Sequence, residues 1–172
     1  MKKFNRIYVF IDSQNLNLGI RDQGWELDFS RFFVYLKEKY KASRIFLFIG
    51  FIQKNVNLYN YLSSIGYTLI YKPILILRNT LHIKGNVDAE LVLQAMIEFK
   101  QYDKAIIVSG DGDFHCLIKY LRKKNKLEVV IIPNRKKYSQ LLLYFSEHLR
   151  FMNDLSEKLG KKNGSVALRT KP

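Results

Sequence analysis

The sequence predicts an α/β fold, a mostly parallel sheet of five strands with helices covering both faces. Three observations carry that expectation. Short, near-continuous apolar runs recur at RIYVFI (6–11), RIFLFIGF (44–51), YTLIYKPILIL (67–77), KAIIVS (104–109) and LEVVIIP (127–133). Runs without polar alternation belong to strands buried on both faces. Segments of helical spacing separate them, and connections of that kind join parallel strands. With 172 residues, 48% of them hydrophobic, the chain is long enough to bury one substantial core.

Each element has its own justification. The run 6–11 ends abruptly at Asp12. DFSRFFVYLKEKY (28–40) is amphipathic and carries Asp28 and Ser30 as capping candidates. NLYNYLSSIG (57–66) reads as a helix closed by Gly66. Pro73 bends or ends the third strand, and RNTLHIKG (78–85) suits a hairpin. VDAELVLQAMIEFKQY (87–102) places apolar residues at 87, 91, 95, 96 and 99, a helical stripe. DFHCLIKYLRKKN (113–125) and YSQLLLYFSEHLRFM (138–152) read as the last two helices. No internal repeat is visible. From 156 onward, SEKLGKKNGSVALRTKP is polar, basic and aperiodic, so the expected division is a domain over 1–155 and a disordered tail over 156–172.

Composition narrows the function. Lys and Arg number 29 against 15 acids, a formal charge of +14. Such an excess favours a polyanionic partner, most simply nucleic acid. The single cysteine, Cys116, excludes an internal disulfide framework and fits the reducing cytoplasm. The opening apolar run is too short for a signal peptide and meets Asp12 at once. No stretch is long enough to span a membrane, so no membrane partner is expected.

Within this basic chain, VSGDGDFHC (108–116) crowds two acids after the fourth strand. Ligands of open α/β sheets sit at the carboxyl ends of the strands. Asp12 follows the first strand, Asp111 and Asp113 follow the fourth, and Asp88 opens the helix before it. Four of the eight aspartates thus occupy one expected edge. Converging carboxylates need a cation, and hard oxygen donors select Mg²⁺ or Mn²⁺ over zinc. His82, His115 and His148 show no ligand spacing. A divalent ion beside a polyanion points to phosphodiester hydrolysis.

Structural readings stand beside each residue. Asp12 and Asp113 suit N-caps, Asp111 and Gly112 a turn, and Asp88 a favourable helix dipole. Asn15 either orients a ligand or is a surface helix residue. Ser109 either contacts phosphate or ends the strand, and Lys84 either meets a phosphate or is solvated. Glu90 cannot share a helix face with Asp88. The Phe and Tyr stripes read as core rather than as base-stacking platforms. Two basic clusters compete for the substrate. Arg135, Lys136 and Lys137 follow the fifth strand, on the edge of the acids. Arg122, Lys123, Lys124 and Lys126 precede it, at the opposite edge. Topology favours the first.

YVFIDSQNLNLG, KGNVDAELVLQAM and IIVSGDGDFHCLIKYLRKKNKLEVVII resemble, in this order and over about residues 6–133, the three blocks of a LabA-like NYN domain of the PIN-like nuclease superfamily. The resemblance implies a Rossmann-like three-layer sandwich with strand order 3-2-1-4-5, an acidic metal site and metal-dependent ribonuclease activity on RNA. Carried over by motif, the catalytic and metal-binding acids are Asp12, Asp88, Asp111 and Asp113. Asn15, Ser109 and Lys84 assist at the substrate. Two positions depart from the family pattern. Ser13 stands where glycine is usual, and Gln94 stands where many members carry another acid. A non-catalytic RNA-binding regulator on the same fold is the alternative. A phosphatase using a covalent Asp ranks below both, since Gln14 stands where its second acid would be.

Overall fold

The computed structural model describes residues 5–72 and 87–162. The last part of the expected third strand (73–77), the hairpin at 78–85, His82 and Lys84 lie outside them.

The chain begins with β1 (Ile7–Asp12), α1 (Ser13–Arg21), α2 (Phe29–Tyr40), β2 (Ala42–Gly50), α3 (Val56–Ile65) and β3 (Thr68–Lys72). It continues with α4 (Val87–Ile97), β4 (Lys104–Val108), α5 (His115–Lys123), β5 (Leu127–Ile132), β6 (Leu149–Phe151) and the short α6 (Ser156–Leu159). All strand pairings are parallel, in the order β3-β2-β1-β4-β5-β6. The expected order 3-2-1-4-5 therefore holds, with a sixth strand added beside β5. Winding runs outward from β1 through β2 to β3, then returns to β4 on the other side of β1. The gap between the ends of β1 and β4 is thus the switch point, where α/β sheets bind ligands.

Side-chain alternation explains the three layers. Along β1, Val9 and Ile11 face one side and Phe10 the other. The first side packs Leu16, Ile20, Phe32 and Leu36 of α1 and α2 against Ile45, Leu47, Ile106 and Val108. The second packs Leu91 and Ala95 of α4 and Leu117, Ile118 and Leu121 of α5 against Phe46, Phe48, Ile107 and Val130. Both faces are buried, so the strands read as continuous apolar runs.

Local signals set the helix ends. Asp28 caps α2, accepting from the backbone N–H groups of Ser30 and Arg31 at 3.0 and 3.1 Å. Gly66 closes α3 at φ +117°, and a Cβ there would meet the Phe33 ring at 2.8 Å. Helix α5 begins at His115, because a 3₁₀ turn over Gly112–Phe114 precedes it.

Two expectations are corrected. The segment read as a helix over 138–152 is a 3₁₀ run, Gln140–His148, followed by β6. It buries only Leu142 and Phe145, a spacing of three that suits 3₁₀ geometry. Leu141, Leu143 and Tyr144 remain exposed, so the segment lacks the broad buried stripe that holds an α-helix. The non-helical Phe145 (φ −116°, ψ 29°) interrupts it, and Leu149–Phe151 then pair with Val130–Ile132. Packing also continues beyond the boundary expected at 155. Leu159 is buried, the Asp28 N–H donates to the Leu159 carbonyl at 2.8 Å, and the Lys161 N–H donates to the Glu26 carbonyl at 2.9 Å. Composition alone hides this, because one leucine, backbone hydrogen bonds and a few polar side chains, Arg31 to the Gly160 carbonyl and Lys161 to Glu26, make the attachment.

Candidate active site

The acids come together at the switch point, though not all four equally. Asp88, in the first turn of α4, joins Asp111 and Asp113 from the loop after β4. Each offers a carboxylate oxygen, and these oxygens all lie within 4.8 Å of one another. Asp88 and Asp111 are half-buried and Asp113 is exposed. Like charges this close repel one another and favour a bound cation. The donor set, oxygen only and anionic, fits a hard divalent ion, with no thiolate or imidazole in the group.

Asp12 stands apart from that trio. It ends β1, is buried, and caps α1 by accepting from the Gln14 and Asn15 N–H groups, both at 3.1 Å. Its second oxygen accepts the Ser109 hydroxyl at 3.2 Å. Burial raises its pKa above the ordinary carboxylate value, opposed by these hydrogen bonds, and the nearby charge of Asp111 adds to the rise. The capping reading is therefore realised, and Asp12 sits behind the trio, linked to it through the loop.

Ser109 and Asn15 shape that loop. The buried Ser109 hydroxyl oxygen also accepts the Asp111 N–H at 3.1 Å, joining the two acids' positions. The Asn15 side-chain oxygen accepts the Gly110 N–H at 2.7 Å. Asp111 in turn caps the 3₁₀ turn, accepting the Asp113 N–H at 3.0 Å. Both residues expected at the substrate thus have their oxygens engaged within the protein.

Sequence reasoning missed Ser139 and Tyr138, whose Cβ a Cβ on Gly110 would approach to 3.0 Å. The Ser139 N–H donates to the Gly110 carbonyl at 2.9 Å. A Cβ on Gly112 would collide with the Ser139 hydroxyl oxygen and approach its Cβ to 2.9 Å. Glycine is required at 112 by this close approach. No local pattern marks Ser139; only its place after β5, on the same edge, would have pointed to it.

The departures at Ser13 and Gln94 have physical accounts. Ser13 is a buried first residue of α1 with negative φ, so nothing there demands glycine. Gln94 donates to Glu98 at 3.1 Å, an i,i+4 pair along α4.

The favoured basic cluster lies on this edge, where a Cβ on Gly110 would sit 3.4 Å from the Lys137 carbonyl oxygen. Two of its charges are already paired: Arg135 with Asp154 at 2.9 Å and Lys137 with Asp22 at 2.7 Å. The Lys136 ammonium has no ion-pair partner among the described residues, and Lys136 is one of the residues lining an open cavity of about 420 Å³ with Asp22, Trp25 and Asn153.

Comparison with known proteins agrees with this architecture. Residues 6–151 match the NYN domain. Low amplitude and bright protein LabA of Synechococcus elongatus is 28% identical over 129 residues, covering 70% of this chain and 69% of LabA. The crystal structure of VPA0982, a protein of unknown function from Vibrio parahaemolyticus, superposes with a TM-score of 0.72 at 23% identity, over 90% of this chain and 96% of that one. T5 5′-exonuclease with bound zinc ions gives a TM-score of 0.47 at 14% identity, over 88% of this chain and 60% of that one, too distant to inform the site. On the NYN match and the relation to LabA, the chain belongs to the NYN domain family as a LabA-like member.

Proposed function

We propose that the protein is a divalent-metal-dependent ribonuclease. The single observation that carries this reading is the convergence of Asp88, Asp111 and Asp113 at the switch point of a basic NYN domain. These three would hold Mg²⁺ or Mn²⁺, and a divalent ion so held activates water and neutralises phosphate charge. Asp12 acts behind them: with Ser109 it fixes the start of the loop and keeps Asp111 in place. Asn15 anchors the same loop at Gly110. Lys136, with Arg135 and Lys137 braced by acids on either side, supplies positive potential for an approaching RNA backbone. Lys84, named by the motif, would add a phosphate contact.

The test incubates the protein with labelled RNAs in Mg²⁺, Mn²⁺ or chelator, alongside Asp88→Asn and Asp111→Asn. Cleavage that needs the metal and disappears in both variants supports the reading. Cleavage that survives either variant refutes it. One observation favours a second reading, a non-catalytic RNA-binding regulator: the capping role of Asp12 leaves three acids rather than four at the mutual 4.8 Å spacing. RNA binding with no cleavage in any metal would select it.

A further inference from the structure

We infer that a seam between α5 and the 3₁₀ run is the track of single-stranded RNA leaving the acidic site, with Tyr144 as its base-stacking platform. This rests on the nuclease reading for its direction, though not for its binding chemistry. Two columns of side chains form the seam. His115, Lys119 and Arg122 fall at i, i+4 and i+7 on one face of α5. Leu141, Tyr144 and Glu147 fall three apart, the spacing that aligns residues on a 3₁₀ run. The columns meet repeatedly. The Tyr144 ring centre lies 6.4 Å from that of His115 and 5.5 Å from the Arg122 guanidinium carbon. Arg122 also pairs with Glu147 at 2.8 Å. At the upper end, a Cβ on Gly112 would lie 3.2 Å from Leu141 Cδ1, so the seam starts between Asp111 and Asp113.

Tyr144 is 65% exposed and Leu141 is 59% exposed. A tyrosine left so open costs the fold apolar burial. Its ring is nevertheless braced, edge to face, by the buried Phe145 at 5.2 Å. A braced, exposed ring offers any base a stacking surface at little entropic cost. The occupant is identified by charge. Arg122 lies against the ring with its charge shared by Glu147, and the exposed Lys119 lies one turn before it on α5, in a chain of charge +14, which suits a phosphate backbone running alongside stacked bases. A duplex hides its base faces and gains nothing from Tyr144. Arg122 belongs to the cluster assigned by topology to the far edge, and the seam is what connects it to the acids.

The experiment measures binding without chemistry. Labelled 12-nucleotide oligouridylate, oligoadenylate and a 12-base-pair RNA duplex are titrated by fluorescence anisotropy in chelator, with the full chain. Tyr144→Ala should weaken both single strands roughly ten-fold and leave the duplex unchanged, while Tyr144→Phe retains wild-type binding. Arg122→Gln should weaken single-strand binding and lower its salt slope. The exposed position predicts unchanged melting for both Tyr144 variants. Single-strand binding within two-fold of wild type in Tyr144→Ala overturns the track, as does an equal loss of duplex binding. A dimer dissociated by Tyr144→Ala, with no RNA bound, would instead assign the face to a second copy. Cleavage assays separate the two readings. If the nuclease reading fails, the stacking result in chelator stands; if the track fails, metal-dependent cleavage continues with unchanged KM in Tyr144→Ala.

Discussion

Asp111→Asn should stabilise the metal-free protein while abolishing cleavage. Its carboxylate has Asp88 and Asp113 beside it, with oxygens of all three within 4.8 Å, and the buried Asp12 behind it. At that separation each pair repels by about 0.9 kcal/mol at the dielectric of water and about 3.5 kcal/mol at an effective dielectric of 20. Asp113 is exposed and Asp88 half-buried, so the lower figure applies; Asp113 stays two residues from Asp111 in the unfolded chain as well, so the relief specific to the folded state is about 1 kcal/mol. The substitution leaves the turn intact, because asparagine caps as well as aspartate and keeps an oxygen for the Asp113 N–H. For a domain of this size, about 1 kcal/mol corresponds to a melting rise of roughly 2–4 °C. Thermal melts in chelator at low salt read the shift, which should shrink in high salt as screening grows. Adding Mn²⁺ should raise the melting point of the wild type and leave the variant behind. A fall in melting temperature, or a rise indifferent to salt, would refute the repulsion argument and make the cap the dominant role of Asp111.

The remaining predictions concern the frame of the site. The raised pKa of Asp12 has a definite sign. Below its unfolded value of 3.8 both states hold the proton; above it the folded state keeps a proton that the unfolded chain has released. Its contribution to stability therefore declines as pH rises from about 3.8 through the folded value. Urea denaturation in chelator should show Asp12→Asn gaining on the wild type as pH rises, and a gain as pH falls would contradict this. Asn15→Ala strips the Gly110 N–H of its partner and should cost about 1–3 kcal/mol in the same assay. Gly112→Ala should suppress cleavage through collision with Ser139, and Ser139→Ala in the same chain should partly restore it; additive losses would deny the contact. Lys136→Glu should weaken RNA association and reduce its salt slope by about one, whereas Arg135→Glu and Lys137→Glu should also lower melting by setting like charges against Asp154 and Asp22.

How much of this could be read from the residues varies with the kind of signal. The strands were legible because burial on both faces makes them apolar throughout. The gathering of Asp88, Asp111 and Asp113 followed from the alternation of helices and parallel strands, since the start of α4 and the loop after β4 fall on the same carboxyl edge of the sheet. The position of Asp12 was only half legible: a capping acid and a ligating acid look alike until hydrogen-bond partners are visible. Ser109 and Asn15 were recognised as belonging to the site, yet their oxygens turn inward, a choice made by the backbone N–H groups of Asp111 and Gly110. The 3₁₀ run was hidden because LLLYF is apolar at consecutive positions and gives no period until packing selects Leu142 and Phe145. The ordering of residues 156–161 was hidden for the opposite reason, since their attachment is largely backbone and leaves little trace in composition.

That attachment has a kinetic consequence. Gly160 bridges to Leu27, and the Arg31 guanidinium donates to the Gly160 carbonyl at 3.2 Å across 129 positions of sequence. During synthesis, the surfaces that receive this segment emerge long before it does. The sheet's own pairings can form first, and the segment then closes onto the connection between α1 and α2 as a late latch. Reopening would break few contacts: one buried leucine, a short helix and a handful of hydrogen bonds. Such a unit opens at a fraction of the global unfolding free energy, so the amides of Asp28 and Lys161 should exchange with solvent before those of β1 and β4. The basic domain thus carries, on the side held by α2 and α6, a seam where proteolysis and partial unfolding begin while the acidic edge remains intact.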